Sequence, residues 1–370
     1  MAGLYIHVPF CHAKCWYCDF YSVADASGTD RYVQALEREW TLRNNEINQD
    51  ELTTIYFGGG TPSILSERHL WSIGEWLPVS EKIVEATIEV NPEDVSPEKI
   101  SQWKRNLRVN RVSMGIQSLV DEELKAVGRR HSVAEALEAV NMLRREGINN
   151  LSLDLIYGLP GQTLDSWKES LNKIMAVRPE HLSAYMLSFE PGTRLHTRLM
   201  LGKIKETDEE TMLAMYDTLC EAARANGYNH YEISNFALPG FEARHNSAYW
   251  TGAPYLGLGP GAHSFDGQVR RENPRNFRAW CEALSDSRSA ATIEEESEAD
   301  KVNDFIMVSL RTSKGLRLKD IPSKYHKAVL GSASRLTENR LLIDKESMRL
   351  YIPESGWPVS DGTIASLFVD

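Results

Sequence analysis

Residues 4–18 read Leu4-Tyr5-Ile6-His7-Val8-Pro9-Phe10-Cys11-His12-Ala13-Lys14-Cys15-Trp16-Tyr17-Cys18. A short apolar run over Leu4 to Val8 predicts a strand, and the turn after it carries three cysteines in a C-x3-C-x2-C spacing. Thiolates converging from a strand-end loop are soft ligands that suit zinc or an iron-sulfur cluster. The zinc reading needs a fourth ligand, which His7 or His12 would supply, but the spacing is looser than the paired C-x2-C knuckles of structural zinc sites. A [4Fe-4S] cluster held by Cys11, Cys15 and Cys18 would leave one iron open to a substrate or cofactor. Spacing favours the cluster and leaves zinc or a redox thiol group as alternatives.

Beyond this loop, β-branched runs alternate with helical patterns. Six strands are predicted, Leu4 to Val8, Thr53 to Phe57, Glu85 to Val90, Arg111 to Gly115, Leu151 to Ile156 and His181 to Leu187. A helix is expected to open at Ser132, with Val133, Leu137, Val140 and Leu143 on one face and Gly147 as its stop. Six βα units with right-handed crossovers predict an α/β fold, an incomplete TIM-like (β/α)6 barrel whose site lies at the C-terminal ends of the strands; a doubly wound open sheet is the alternative. Further on come a long helix from Asp208 to Asn226, a glycine-rich stretch over 252–265, and, from about residue 290, an α-rich C-terminal part with two helices and a strand pair.

Composition limits the function classes. The 370 residues, 42% hydrophobic and 25% charged, are those of a folded globular chain. A net charge of -11 opposes non-specific binding to phosphate backbones and anionic membranes, so no nucleic-acid partner is expected. No transmembrane run or secretory signal is visible, and a cytoplasmic location is expected. Five cysteines are too few and too uneven for a disulfide framework. Cys220 and Cys281 lie among apolar residues at helical spacing and read as core thiols.

The opening resembles that of radical S-adenosylmethionine (SAM) proteins, specifically those similar to oxygen-independent coproporphyrinogen III oxidase. Further motifs extend the resemblance in order over about residues 4–265: Phe57-Gly58-Gly59-Gly60-Thr61-Pro62-Ser63, Ile88-Glu89-Val90-Asn91-Pro92, Met114-Gly115-Ile116-Gln117-Ser118, Gly128-Arg129-Arg130-His131, and Asp154 to Thr163. The resemblance implies a radical SAM barrel over 1–205 with its cluster loop, an extension over 206–290, and an appended helical or winged domain over 291–370 covering the open side. It also implies roles for single residues. Gly59, Gly60 and Thr61 would hold the methionine amino group of SAM, their N–H groups close to the ligand; Glu89 would accept from ribose hydroxyls, and Arg129 would fork onto the carboxylate. Tyr5, Tyr17, Gln117 and Asp154 would line the same pocket.

Three features divide the branches of this family. The decarboxylating oxidase carries a further cysteine where Phe20 stands, and an N-terminal extension ahead of the first strand. The chain instead has His245-Asn246-Ser247-Ala248-Tyr249-Trp250, matching the H-N-x-x-Y-W motif of the haem chaperone branch, HemW. That branch implies haem as a third cofactor, with His245 as a ligand and His263 as a second candidate. Haem would pass to an acceptor apoprotein, and an electron donor and a homodimeric partner are compatible with the resemblance. The oxidase is the alternative; there the reduced cluster would cleave SAM to a 5′-deoxyadenosyl radical that abstracts hydrogen from the porphyrinogen. Without the family, a lone triglycine turn is most often just a turn, and His-Asn before two aromatics is equally a packed loop.

Overall fold

The computed structural model describes residues 2–370. Its strands are β1 (Ala2–Val8), β2 (Leu52–Gly59), β3 (Glu85–Val90), β4 (Arg111–Gln117), β5 (Leu151–Tyr157), β6 (His181–Met186), β7 (Asn229–Glu232), β8 (Asn235–Ala237), β9 (Tyr255–Leu258), β10 (His263–Phe265), β11 (Arg270–Glu272) and β12 (Thr292–Ile293). They form one sheet in the order β12-β11-β10-β9-β1-β2-β3-β4-β5-β6-β8-β7. From β9 through β6 every neighbour is parallel, and the flanking strands are antiparallel. All six predicted strands are present, and the expectation of six parallel strands is one short. The seventh, β9, comes from the glycine-rich stretch, which has no β-branched run to announce it. Glycine is needed there, because a Cβ on Gly257 would lie 1.9 Å from the His263 carbonyl oxygen.

The helices are α1 (Thr29–Arg43), α2 (Glu67–Trp76), α3 (Pro97–Leu107), α4 (Asp121–Ala126), α5 (Val133–Arg145), α6 (Leu164–Val177), α7 (Arg194–Met200), α8 (Glu209–Ala225), α9 (Arg244–Tyr249), α10 (Phe277–Ser285), α11 (Glu298–Leu310), α12 (Ser323–Ala333) and α13 (Ser360–Ala365). Helix α5 starts where Ser132 and Glu135 form a reciprocal capping box and buries Ala136, Ala139, Val140 and Leu143. Helix α8 is capped by Asp208, whose carboxylate accepts from the Thr211 N–H at 2.9 Å.

The strands have two chemically different faces. Leu4, Ile6 and Val8 of β1, and Ile88 of β3, pack into the core against the helices. The alternate positions Tyr5, His7, Thr54, Tyr56, Thr87, Glu89, Arg111, Ser113, Asp154, His181 and Ser183 are polar and line the lumen. The C-terminal part bridges the two free edges of the sheet. After β12, α11 leads to residues 311–313, which pair with β7 through Ile233 N–H to Arg311 O at 3.0 Å and Ser313 N–H to Tyr231 O at 3.1 Å. Beyond them the expected strand pair is a three-stranded sheet, β13 (Leu316–Arg317), β15 (Arg349–Tyr351) and β14 (Leu342–Asp344) in that order, and a third helix, α13, follows.

Candidate functional site

At the C-terminal ends of the parallel strands, the loop after β1 is pinned from several sides. Cys11 N–H donates to Val23 O at 3.0 Å, Trp16 N–H to Val127 O at 3.1 Å, and Leu195 N–H to Trp16 O at 2.7 Å. The Trp16 ring lies against two guanidinium groups, Arg194 at 4.3 Å and Arg198 at 4.8 Å from its centroid, so α7 holds the loop from outside. Burial first, then the neighbouring Cys15 and Cys11, push the Cys18 thiol up to about 11, against a backbone hydrogen bond at Phe20. Such thiols ionise readily only beside a cation.

Arg129 faces the loop. Its Nη1 donates to Cys15 Sγ at 3.3 Å, and Nη2 donates to Asn91 Oδ1 at 2.7 Å and Gly115 O at 2.6 Å. Its Nε is buried without a partner, beside a small cavity lined by His12, Cys15, Asn91, Glu93, Gly128 and Arg129. An unsatisfied buried donor of this kind leaves room for an acceptor. Glu89 sits where β3 ends, accepting from Tyr56 Oη at 2.7 Å and from the Gly59 N–H at 3.1 Å. Burial lifts its carboxyl to about 7, opposed by the Tyr56 hydrogen bond and assisted by the nearby Asp154. Asp154, on β5, is raised by burial and accepts from Ser113 at 3.3 Å and Ser152 at 3.4 Å.

Gln117 closes β4 with φ +70, at an irregularity between Gly115 and Gln117, an uncommon backbone for a non-glycine residue. Thr61 is buried, and its hydroxyl accepts from Asn91 Nδ2 at 3.3 Å. Tyr17 packs at the rim among Val127, Ile156 and Leu159. Tyr5 lies deeper, its hydroxyl 3.0 Å from His7 Nδ1.

The triglycine turn needs one correction. Gly59 N–H is taken by Glu89, and Gly60 N–H donates to Val8 O at 2.8 Å, so neither is free to approach a ligand. The glycines serve close packing instead: Gly59 has φ +105, and a Cβ on it would lie 2.5 Å from the His7 ring.

A model of the Radical SAM superfamily matches residues 5–174. Heme chaperone HemW of Lactococcus lactis is 32% identical over 99% of this chain and 97% of that protein. Heme chaperone HemW of Bacillus subtilis is 33% identical over 96% of each. The chain belongs to the HemW family of radical SAM proteins. Coproporphyrinogen III oxidase of Escherichia coli, a radical SAM enzyme, superposes with a TM-score of 0.82, covering 100% of this chain and 90% of that one. At 20% identity that likeness shows the shared fold. Membership in the radical SAM superfamily implies a [4Fe-4S] cluster and SAM, and the loop thiols with the unpartnered Arg129 donor are a donor set that fits them.

The HemW motif around His245 lies at the opposite end of the barrel. Helix α9 plugs the N-terminal end, its first N–H groups held by the buried Glu85 carboxylate, from Arg244 N at 3.0 Å and His245 N at 2.9 Å. His245 is 1% exposed, with Nδ1 2.8 Å from Thr54 Oγ1 and Nε2 2.8 Å from Tyr249 Oη. Burial, with the Arg111 charge, lowers it to about 3. Both ring nitrogens therefore have protein partners within the plug, Thr54 and Tyr249. His263 is exposed on β10, 3.6 Å from Glu294 and 4.0 Å from Glu272. Beside the plug, between β9–β11 and α11, a cavity of about 240 Å³ is lined by Tyr249, Tyr255, Phe265, Arg270, Lys301 and Phe305.

Tyr56 links the two ends, since its ring stacks on His245 at 5.1 Å while its hydroxyl donates to Glu89. Neither Tyr56 nor Asn91, nor the lumen cation Arg111, entered the sequence-derived set. The missed signal was period-two alternation, which in Thr54-Ile55-Tyr56-Phe57 and Arg111-Val112-Ser113-Met114 places a polar residue at every second position.

Proposed function

We propose that the chain is a haem chaperone. Cys11, Cys15 and Cys18 hold a [4Fe-4S] cluster, and SAM lies beside it, bounded by Gly59, Gly60, Thr61, Glu89, Gln117 and Arg129, with Tyr5, Tyr17 and Asp154 in the surrounding wall. When bound and reduced, the cluster supplies an electron to the sulfonium of SAM. The protein's own groups do the rest: the fixed guanidinium of Arg129 offers a donor to a carboxylate, and Glu89 offers its oxygens to hydroxyls. Haem is carried to an acceptor apoprotein in the cytoplasm, with an electron donor reducing the cluster and a second copy of the chain as a homodimer partner. Haem is held at or near His245, whose ring would exchange its bonds to Thr54 and Tyr249 for the iron; the aromatic cavity beside Tyr249 supports this, since its rings would pack on a porphyrin face.

The observation that carries this reading is full-length kinship with heme chaperones at 32% and 33% identity, against fold-only likeness to the oxidase. Phe20, 70% exposed on the cluster loop where the oxidase branch has cysteine, agrees with it. The test is anaerobic reconstitution with iron and sulfide, then parallel assays of haem binding, haem transfer and coproporphyrinogen III decarboxylation with SAM and a reductant. Stoichiometric haem without decarboxylation is expected; decarboxylation would replace the proposal with the oxidase reading.

A further inference from the structure

Outside the cysteine loop, three ligand-type side chains from three separate elements converge. Cys220 comes from α8, His230 from β7, and Glu354 from the 3-10 segment Glu354–Val359 that follows β15. Cys220 Sγ lies 3.8 Å from His230 Nδ1, which lies 2.9 Å from Glu354 Oε1, and the three ligand atoms all fall within 4.8 Å of one another. Sulfur, nitrogen and oxygen around a tetrahedral zinc, with arms of about 2.0–2.3 Å, are separated by about 3.3–3.8 Å. The imidazole is held rigidly. Phe236 stacks on it at 3.8 Å and 19°, and Trp357 meets it edge-on at 4.2 Å and 89°.

Its Nε2 faces the Ile233 carbonyl at 3.3 Å, the arrangement by which metal-binding histidines are usually oriented; without a metal a proton bridges Nδ1 and Glu354, and its loss would present the Nδ1 lone pair beside the thiol and carboxylate. Arg224 holds the other oxygen of Glu354, and Tyr216 Oη donates to the Glu354 carbonyl at 2.9 Å, fixing the segment that carries the carboxylate. One thiolate and one carboxylate balance a dication. Reading Cys220 as a core thiol accounts for its burial but not for these two partners.

We propose that Cys220, His230 and Glu354 form a site for a single divalent transition-metal ion, zinc by preference, that fastens the C-terminal part to the edge of the barrel. Binding displaces the thiol proton and the proton shared by His230 Nδ1 and Glu354 to solvent, and a water takes the fourth position. The bland alternative is a histidine–glutamate ion pair beside a bystander thiol.

The test uses the full chain with Cys11→Ala, Cys15→Ala and Cys18→Ala, which leaves Cys220 and Cys281 as its thiols, titrated anaerobically with cobalt(II). One cobalt per chain with a thiolate-to-cobalt charge-transfer band is expected, the band lost in Cys220→Ser and the affinity lowered at least about tenfold in Glu354→Gln. No binding, binding without that band as at the exposed His263–Glu272–Glu294 group, or a band that survives Cys220→Ser would overturn the proposal. Should Cys220→Ser fail to fold by circular dichroism, unchanged cobalt affinity in Glu354→Gln overturns it. In the unaltered cluster-loaded chain, zinc analysis should find one zinc per chain beyond the cluster iron.

Discussion

Replacing Glu89 by Gln should destabilise the cluster-free chain at pH 5 and stabilise it at pH 8. Glu89 is lifted from 4.5 to about 7, chiefly by burial. A raised carboxyl keeps its proton in the folded chain through the window in which the unfolded chain releases it. The stability this provides is complete below 4.5 and is lost as the pH rises through about 7. At 1.36 kcal/mol per pH unit the loss is about 3 kcal/mol.

Glutamine carries no charge at either pH, so it escapes that loss. It forfeits one of the two acceptors used by Tyr56 Oη at 2.7 Å and Gly59 N–H at 3.1 Å, which costs about 1–2 kcal/mol. The variant should therefore be about 1–2 kcal/mol less stable at pH 5 and about 1–2 kcal/mol more stable at pH 8. Urea unfolding midpoints of both proteins at the two pH values give the sign directly. An equal loss at both would refute the reasoning, because it would mean that Glu89 ionises like a solvent carboxylate. The same substitution should weaken SAM binding, the pattern expected where a site is held at the expense of stability.

Three other outcomes are expected. Cys15→Ser should leave reconstituted chain almost free of iron, measured by chelation; wild-type iron content would move the cluster off this loop. Gly59→Ala must adopt φ +105 with its Cβ 2.5 Å from the His7 ring, so unfolding should come about 2–4 kcal/mol earlier; an unchanged midpoint would show that the turn relaxes freely. His245→Ala removes the stack on Tyr56 and the hydrogen bonds to Thr54 and Tyr249, at a cost of about 2–4 kcal/mol. The folded fraction should bind haem more weakly, and unchanged haem affinity would move the ligand elsewhere, His263 being the next candidate.

By itself, the sequence determined the six principal strands, the helix starts at Ser132 and Asp208, the cysteine loop and the family. All of these are written in contiguous runs or fixed short spacings, which local propensity and ligand geometry make legible. Partnership was decided only by the tertiary structure. The Gly59 and Gly60 N–H groups were expected to face a ligand, and are consumed by Glu89 and Val8. His245 was expected to ligate haem, and its ring is bonded to Thr54, 191 residues away. The strand β9 forms without its own β-branched signal because β1 offers it an open parallel edge. A residue's type states which bonds it is able to make, but which of them it does make depends on neighbours that only folding brings within 3 Å, and burial then sets its charge.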